Sequence, residues 1–200
     1  MTARTAMIER KTRETSTKVN LNLDGSGEAE LSTGIAFLDH MLDSFAKHSR
    51  FDLCLSCKGD LEIDDHHTAE DCGIVLGQAL DKALGDRVGI QRFGYAYAPL
   101  DESLARAVVD ISGRPFAAVD LGLKRDKLGD LSCENVGHVL SSLAFAARMT
   151  MHVDLIKGDN DHHRAEAAFK AFALALKEAV AVTGISDLPS TKGLIERGTK

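Results

Sequence analysis

The sequence predicts an α+β fold built from two copies of one small unit. Each copy runs β-β-β-α-β-α, so two four-stranded sheets flank a four-helix layer. Three observations predict it. A block of motifs recurs with a spacing near 96 residues. Within each block, alternating polarity gives way to helical spacing in the same order. Hydrophobic residues make up 44% of the 200-residue chain, ample for a core beneath two sheets.

The first block carries Phe37-Leu38-Asp39-His40-Met41-Leu42, then Phe51-Asp52-Leu53-Cys54-Leu55, then Asp64-Asp65-His66-His67-Thr68-Ala69-Glu70. The second carries Asn135-Val136-Gly137-His138-Val139-Leu140, then Met151-His152-Val153-Asp154-Leu155, then Asn160-Asp161-His162-His163-Arg164-Ala165-Glu166. The lone histidine precedes the His-His pair by 26 residues in one block and 24 in the other. The period is too long for a solenoid unit and reads as duplication of a small domain. The expected halves are 1–90 and 91–200, together one compact catalytic domain.

The elements follow in order. Alternation over 18–23, after an extended N-terminal segment, predicts a hairpin. Asp24-Gly25-Ser26-Gly27 is expected to supply its turn, with 28–32 pairing onward. Phe37, Leu38, Met41, Leu42 and Phe45 have helical spacing over 35–47. A strand is expected over 51–57. A helix is expected over 65–84, with Asp64 or Asp65 as N-cap and Gly85 as its stop. In the second half, strands are expected over 93–98, 103–111 and 116–121. A helix over 133–148, a strand over 149–155 and a long helix over 161–182 complete it.

Net charge is −6 and the chain has no long basic run, which argues against nucleic-acid binding. A few Arg and Lys residues still suffice to hold one phosphate. Cys54 and Cys57 form a C-x-x-C spacing, but residues three apart on a strand face opposite sides, and no second C-x-x-C completes a Cys₄ site. Cys54, Cys57, Cys72 and Cys133 are therefore expected as free thiols in a reducing compartment. Residues 1–14 lack an apolar signal core, and no apolar stretch approaches a membrane span. A soluble cytoplasmic protein is expected, with no membrane partner.

Imidazole and carboxylate are ligands for first-row transition metals. His66 and Glu70 lie four apart at the start of a helix, on one face. His67 lies about 100° round the axis and points elsewhere. His162, His163 and Glu166 repeat the arrangement. His40 and His138 bring the count to six imidazoles and two carboxylates. Repeat symmetry suggests His66, Glu70, His138 and His163 on one ion, and His162, Glu166, His40 and His67 on the other. Whether the halves sharing an ion lie in one chain or in different subunits stays open. His48 and His152 have no matched partner, and His152 is expected on an exposed sheet face.

These residues resemble the imidazoleglycerol-phosphate dehydratase family along almost the whole chain. The likeness includes Arg10-Lys11-Thr12-Arg13-Glu14-Thr15, the His40 and His-His segments, Arg92-Phe93-Gly94 and Pro99-Leu100-Asp101-Glu102. It continues through Ser112-Gly113-Arg114-Pro115, Ala167-Ala168-Phe169-Lys170 and Ser190-Thr191-Lys192-Gly193. The resemblance implies a fold like the second domain of ribosomal protein S5. It also implies two Mn²⁺ ions per active site and a homo-oligomer of twenty-four subunits built from trimers. The implied reaction dehydrates imidazole glycerol phosphate to imidazole acetol phosphate in histidine biosynthesis, through a metal-bound imidazolate and a diazafulvene. It points to Glu14 as the acid/base residue, also contacting substrate. Asp101 would help hold the triol, and Glu166 is counted with the catalytic set as well as the ligands. Arg92, Arg114, Lys170, Ser190, Lys192 and His48 match the family's phosphate-binding positions. A dinuclear metal-dependent phosphate-ester hydrolase, which uses close ions and a metal-bound hydroxide, is the alternative. A closed structural metal site in an assembled shell is a third reading, and it would leave the Arg and Lys set without a purpose.

Overall fold

The computed structural model describes residues 4–193 and 195. The first half contributes β1 (Thr5–Lys11), β2 (Ser16–Asn22), β3 (Ala29–Ser32), α1 (Ala36–Ser49), β4 (Asp52–Lys58) and α2 (His66–Leu84). The second contributes β5 (Phe93–Leu100), β6 (Ser103–Asp110) and β7 (Phe116–Asp120). A small hairpin of β8 (Lys127–Leu128) and β9 (Leu131–Ser132) follows, then α3 (Cys133–Ala146), β10 (Thr150–Lys157) and α4 (Asp161–Ala179). The strand orders are β1-β2-β4-β3 and β5-β6-β10-β7, so the two sheets share one topology. In each sheet the last neighbour pairs parallel and the others antiparallel.

Period-two patterning decides which side of each sheet is covered. Val19 and Leu21 of β2, with Leu53 and Leu55 of β4, are buried, as are Ala105, Ala107 and Val109 of β6. They pack beneath the helices. The helices pair across the duplication: α2 packs most extensively on α3, and α1 packs on α4. Two glycines set the closeness of the α2–α3 contact. A Cβ on Gly73 would stand 2.6 Å from the Val139 carbonyl oxygen, and one on Gly77 2.4 Å from that of Leu143. Any side chain there would drive the helices apart.

The halves also cap one another. The α1 N-terminus has no side-chain cap of its own; Asp130, between β8 and β9, accepts the N–H groups of Ala36 at 2.7 Å and Phe37 at 3.1 Å. In return Asp65 accepts from the Ser132 N–H at 2.6 Å, the Ser132 hydroxyl at 2.7 Å and Asn135 Nδ2 at 3.0 Å, at the start of α3. These bonds satisfy helix-end N–H groups that would otherwise lack partners.

Two local expectations need correction. The 24–27 segment joins no hairpin: β2 pairs with β1 and β4, and β3 pairs only with β4. Asp52 is the cause, because its Oδ1 accepts the N–H groups of Ser26, Gly27 and Glu28 and winds the segment around the start of β4. The hairpin turn lies instead at 12–15, closed by the Thr12 N–H on the Thr15 carbonyl and by the Thr12 hydroxyl accepting from Glu14 and Thr15. Helix α4 stops at Ala179, before the expected 182, because Val182 is drawn into a bridge with Ile90. Of the two residues expected to cap α2, Asp64 does so: its carboxylate accepts the His66 N–H at 2.9 Å, as Asn160 does for His162 at 2.9 Å, while the Asp65 side chain makes no cap bond. Gly85 ends α2 with φ 57°. All four cysteines are free thiols, with Cys54 half-buried and Cys57 buried on β4.

Candidate metal centres

The helix pairing assembles two equivalent side-chain groups. On α2 and α3, His66, Glu70 and His138 offer ligand atoms that all lie within 4.8 Å of one another. On α4 and α1, His162, Glu166 and His40 do the same. Each group takes the first histidine and the glutamate of one half's His-His-x-x-Glu helix and the lone histidine of the other half. His138 Nε2 lies 3.3 Å from Glu70 Oε1, and His40 Nε2 and His162 Nε2 each lie 3.3 Å from Glu166 Oε2. The His66 and His138 rings stack with centroids 4.8 Å apart. Phe37 wedges edge-on against His162 at 5.3 Å and His40 at 6.2 Å.

The donor set fits a borderline divalent ion. Two imidazoles and a carboxylate converge in each group, and imidazole suits zinc, iron and similar ions. Asn135 Oδ1 lies 3.2 Å from His66 Nδ1, which turns the other ring nitrogen toward Glu70 and His138. The chain Asp65–Asn135–His66 thus links a helix cap to a candidate ligand. Burial pushes the Glu166 carboxyl up, but the Lys170 ammonium 2.6 Å away and His40 outweigh it, and it stays below its ordinary range.

His67 and His163 join neither group within one chain. Asp60 lies 3.0 Å from His67 Nδ1, and Glu102 lies 2.7 Å from His163 Nδ1. Asp60 holds the His67 imidazole toward its charged form, helped by attraction to Glu14; Glu102 does the same for His163. The Asn160 N–H and His163 hold the Glu102 carboxyl well below the usual range. Neither Asp60 nor Glu102 is singled out by the sequence as a partner of these histidines. Asp60 lies seven residues from its histidine and Glu102 sixty-one, each on a different element.

The remaining candidates fall into place around these groups. Glu14 is exposed at the tip of the β1–β2 turn, on the His67 side. Asp101 occupies the β5–β6 turn at φ 47°, with Oδ2 3.8 Å from His163 Nε2. His48, on α1, is lowered by burial and by the neighbouring Lys170 ammonium, so those two stand together. Arg92 grips Asp110 through two nitrogens, at 2.7 and 3.2 Å, and donates to the Pro189 carbonyl at 2.6 Å, beside Ser190. Arg114 lies in the β6–β7 loop, its Nη1 3.4 Å from the Ser112 carbonyl, and Lys192 is exposed after Ser190, whose hydroxyl accepts its N–H. His152 is exposed on β10 beside Phe116.

The family model described as imidazoleglycerol-phosphate dehydratase matches residues 33–176, which span both groups. Among curated relatives carrying that name, the one from Kluyveromyces lactis is 60% identical over 171 residues, 86% of this chain and 77% of its own. The one from Candida albicans is 52% identical, covering 98% of this chain and all of its own. The solved dehydratase of Staphylococcus aureus superposes with a TM-score of 0.81 at 39% identity, over 90% of this chain and 99% of its own. That of Pyrococcus furiosus gives 0.81 at 34%, over 94% and 99%. No described helix is long and apolar enough to cross a membrane. With family match, relatives and fold in agreement, the chain belongs to the imidazoleglycerol-phosphate dehydratase family.

Proposed function

We infer that the protein is a hydro-lyase of histidine biosynthesis that dehydrates imidazole glycerol phosphate to imidazole acetol phosphate. One observation carries the reading beyond the family match: two like His-Glu-His groups, each built by a helix from either half. The sites would hold two Mn²⁺ ions, one on His66, Glu70 and His138 and one on His162, Glu166 and His40. His163 completes the first and His67 the second. Because both of these face away from the groups in their own chain, the fourth donor comes from another subunit. The halves 1–90 and 91–200 act as one catalytic unit in a cytoplasmic homo-oligomer of twenty-four chains built from trimers.

When bound, the ions would supply Lewis acidity toward the substrate's nitrogen heterocycle, which would lower its pKa and favour loss of the neighbouring hydroxyl. The chain's own residues do the rest. Glu14 takes the hydrogen from the adjacent carbon as a proton, so that water is lost across the two carbons. General acid/base work of this kind contributes about 10²–10⁴ in rate. Asp101, beside His163, accepts from the substrate hydroxyls. His48 and Lys170 form one edge of hydrogen-bond donors, and Arg92, Arg114, Ser190 and Lys192 form another. Together they donate to the phosphate, for which charge-assisted bonds are the strong ones. The test is incubation of the Mn²⁺-loaded protein with imidazole glycerol phosphate beside a metal-stripped control. Metal-dependent appearance of the ketone is expected. Release of inorganic phosphate without ketone would return the reading to a hydrolase.

A further inference from the structure

Each half carries a hairpin whose tip adjoins the His-His segment of its own half, and the two tips match residue for residue. Lys11 pairs with Ser16 in the first and Pro99 with Leu104 in the second, so residues 12–15 correspond to residues 100–103. On the far side Ser16 faces Lys58 and Leu104 faces Lys157. Glu14 and Glu102 therefore hold the same place, and so do Asp60 and Asp159, each two residues past its lysine.

The equivalents do different work. In the second half the tip residue Glu102 takes His163 Nδ1 at 2.7 Å. Its other oxygen accepts from the Asn160 N–H at 2.9 Å, the Asp159 N–H at 3.2 Å and the Ser103 hydroxyl at 3.1 Å. In the first half that histidine contact passes to Asp60, 3.0 Å from His67 Nδ1. The Glu14 carboxylate has no hydrogen-bond or ion-pair partner among the described residues, although its backbone N–H is tied to Thr12. A carboxylate on Nδ1 fixes the proton there and leaves the lone pair on Nε2, the atom that can bind an ion.

We propose that Asp60 and Glu102 are positioning residues for the dehydration, and that Asp60's hold on His67 is what leaves Glu14, the counterpart of Glu102, free to reach substrate. This rests on the reading of His67 and His163 as ligands. Without Asp60, His67 loses the acceptor on Nδ1, and Glu14, at the hairpin-tip position where Glu102 takes His163, is the carboxylate placed to replace it. The ligand is then misaligned and the catalytic carboxylate diverted. The Glu102 carboxylate is held by three donors besides its histidine, whereas among the described residues the Asp60 carboxylate meets only its histidine, so Glu102 doubles as a structural tie at the start of α4.

The experiment uses the Mn²⁺-loaded full chain with Asp60→Ala, Asp60→Asn, Glu102→Ala and His67→Ala. It measures manganese affinity by titration of the free ion's paramagnetic signal, together with kcat, KM and the melting temperature of the metal-free protein. Outer carboxylates on metal-bound histidines are worth about 10–100-fold in affinity or activity. Asp60→Ala is expected to lower manganese affinity and kcat by about that factor with little change in metal-free melting. Asp60→Asn, which keeps an acceptor for Nδ1–H, is expected to recover most of both. Glu102→Ala is expected to lose affinity and also melt earlier. If His67→Ala loses manganese while Asp60→Ala keeps normal affinity and kcat, the positioning role is wrong and the ligand reading survives. If Asp60→Asn is as impaired as Asp60→Ala, the hydrogen bond is not the mechanism and the proposal falls. If His67→Ala itself keeps manganese and turnover, the ligand assignment fails and takes the proposal with it.

Discussion

The two sheets share a topology and an inner face but differ on the outside. Across the first sheet, one outward row reads Met7, Asn20, Cys54 and Glu30, flanked by the Glu9–Lys18 ion pair. The equivalent row of the second reads Tyr95, Val108, His152 and Ala118, flanked by Phe93 and Phe116. Phe93, Tyr95 and Tyr97 of β5 are 53%, 67% and 55% exposed. A contiguous aromatic patch of this kind marks an interaction surface, while an ion-paired polar face is at ease in water. After duplication, the helix layer kept its His and Glu residues in register, while the outward faces and the hairpin tips diverged. The second sheet keeps an ion pair of its own, Arg106 with Asp154, yet exposes the more aromatic face of the two.

The largest expected effect tests the part that did not diverge. His40→Ala and His138→Ala remove equivalent proposed ligands, and each is expected to lower manganese affinity by more than about 100-fold and to abolish turnover. Elemental analysis after gel filtration checks the first, and ketone formation the second. A loss from only one of the pair would mean that the two groups are not functional equivalents. Next comes Glu14→Gln, with kcat down about 10²–10⁴-fold and metal content kept. Near-normal turnover would remove the β1–β2 tip from the chemistry. The sheet faces can be compared directly. Tyr95→Lys on the second is expected to shift sedimentation toward smaller species, and Asn20→Lys on the first to leave it unchanged. The same response from both would erase the contrast.

The smallest effect concerns stability. Asp52 is held below its ordinary pKa chiefly by the Ser26 N–H, with the Glu28, Asn22 and Gly27 donors adding to it. A group depressed on folding stabilises above its unfolded pKa, about 3.9 for Asp, and loses that contribution as pH falls through the folded value. Asp52→Ala is therefore expected to cost about 1–3 kcal/mol in urea unfolding at pH 7 and progressively less below pH 4. No such convergence at low pH would mean that the charge is not what holds the 24–28 loop.

Patterns that repeat at fixed spacing were readable from the sequence. His66 with Glu70 and His162 with Glu166 announce a shared helix face by spacing alone, and the matched His40 and His138 announce the partner helices. What was not readable depends on side chains reaching between elements. Asp52 re-routes a Gly-rich segment that local turn chemistry assigns to a hairpin, because a carboxylate 26 residues away from Ser26 takes its N–H. Strands β8 and β9, two residues each, are too short to show any period. No spacing in the sequence ties Asp60 or Glu102 to a histidine, and only strand register shows that Glu102 stands where Glu14 does.

The crossing of α2 onto α3 and α1 onto α4, sealed by Asp65 and Asp130, carries a lesson about ancestry. A solitary half holds two members of one His-Glu-His group and a single member of the other, and it lacks the one helix cap it borrows from its twin. A primordial single-unit chain could have presented these groups only by docking with a twin. Fusion made that embrace permanent, and once the tips had taken unlike jobs, two identical units could no longer replace the joined pair.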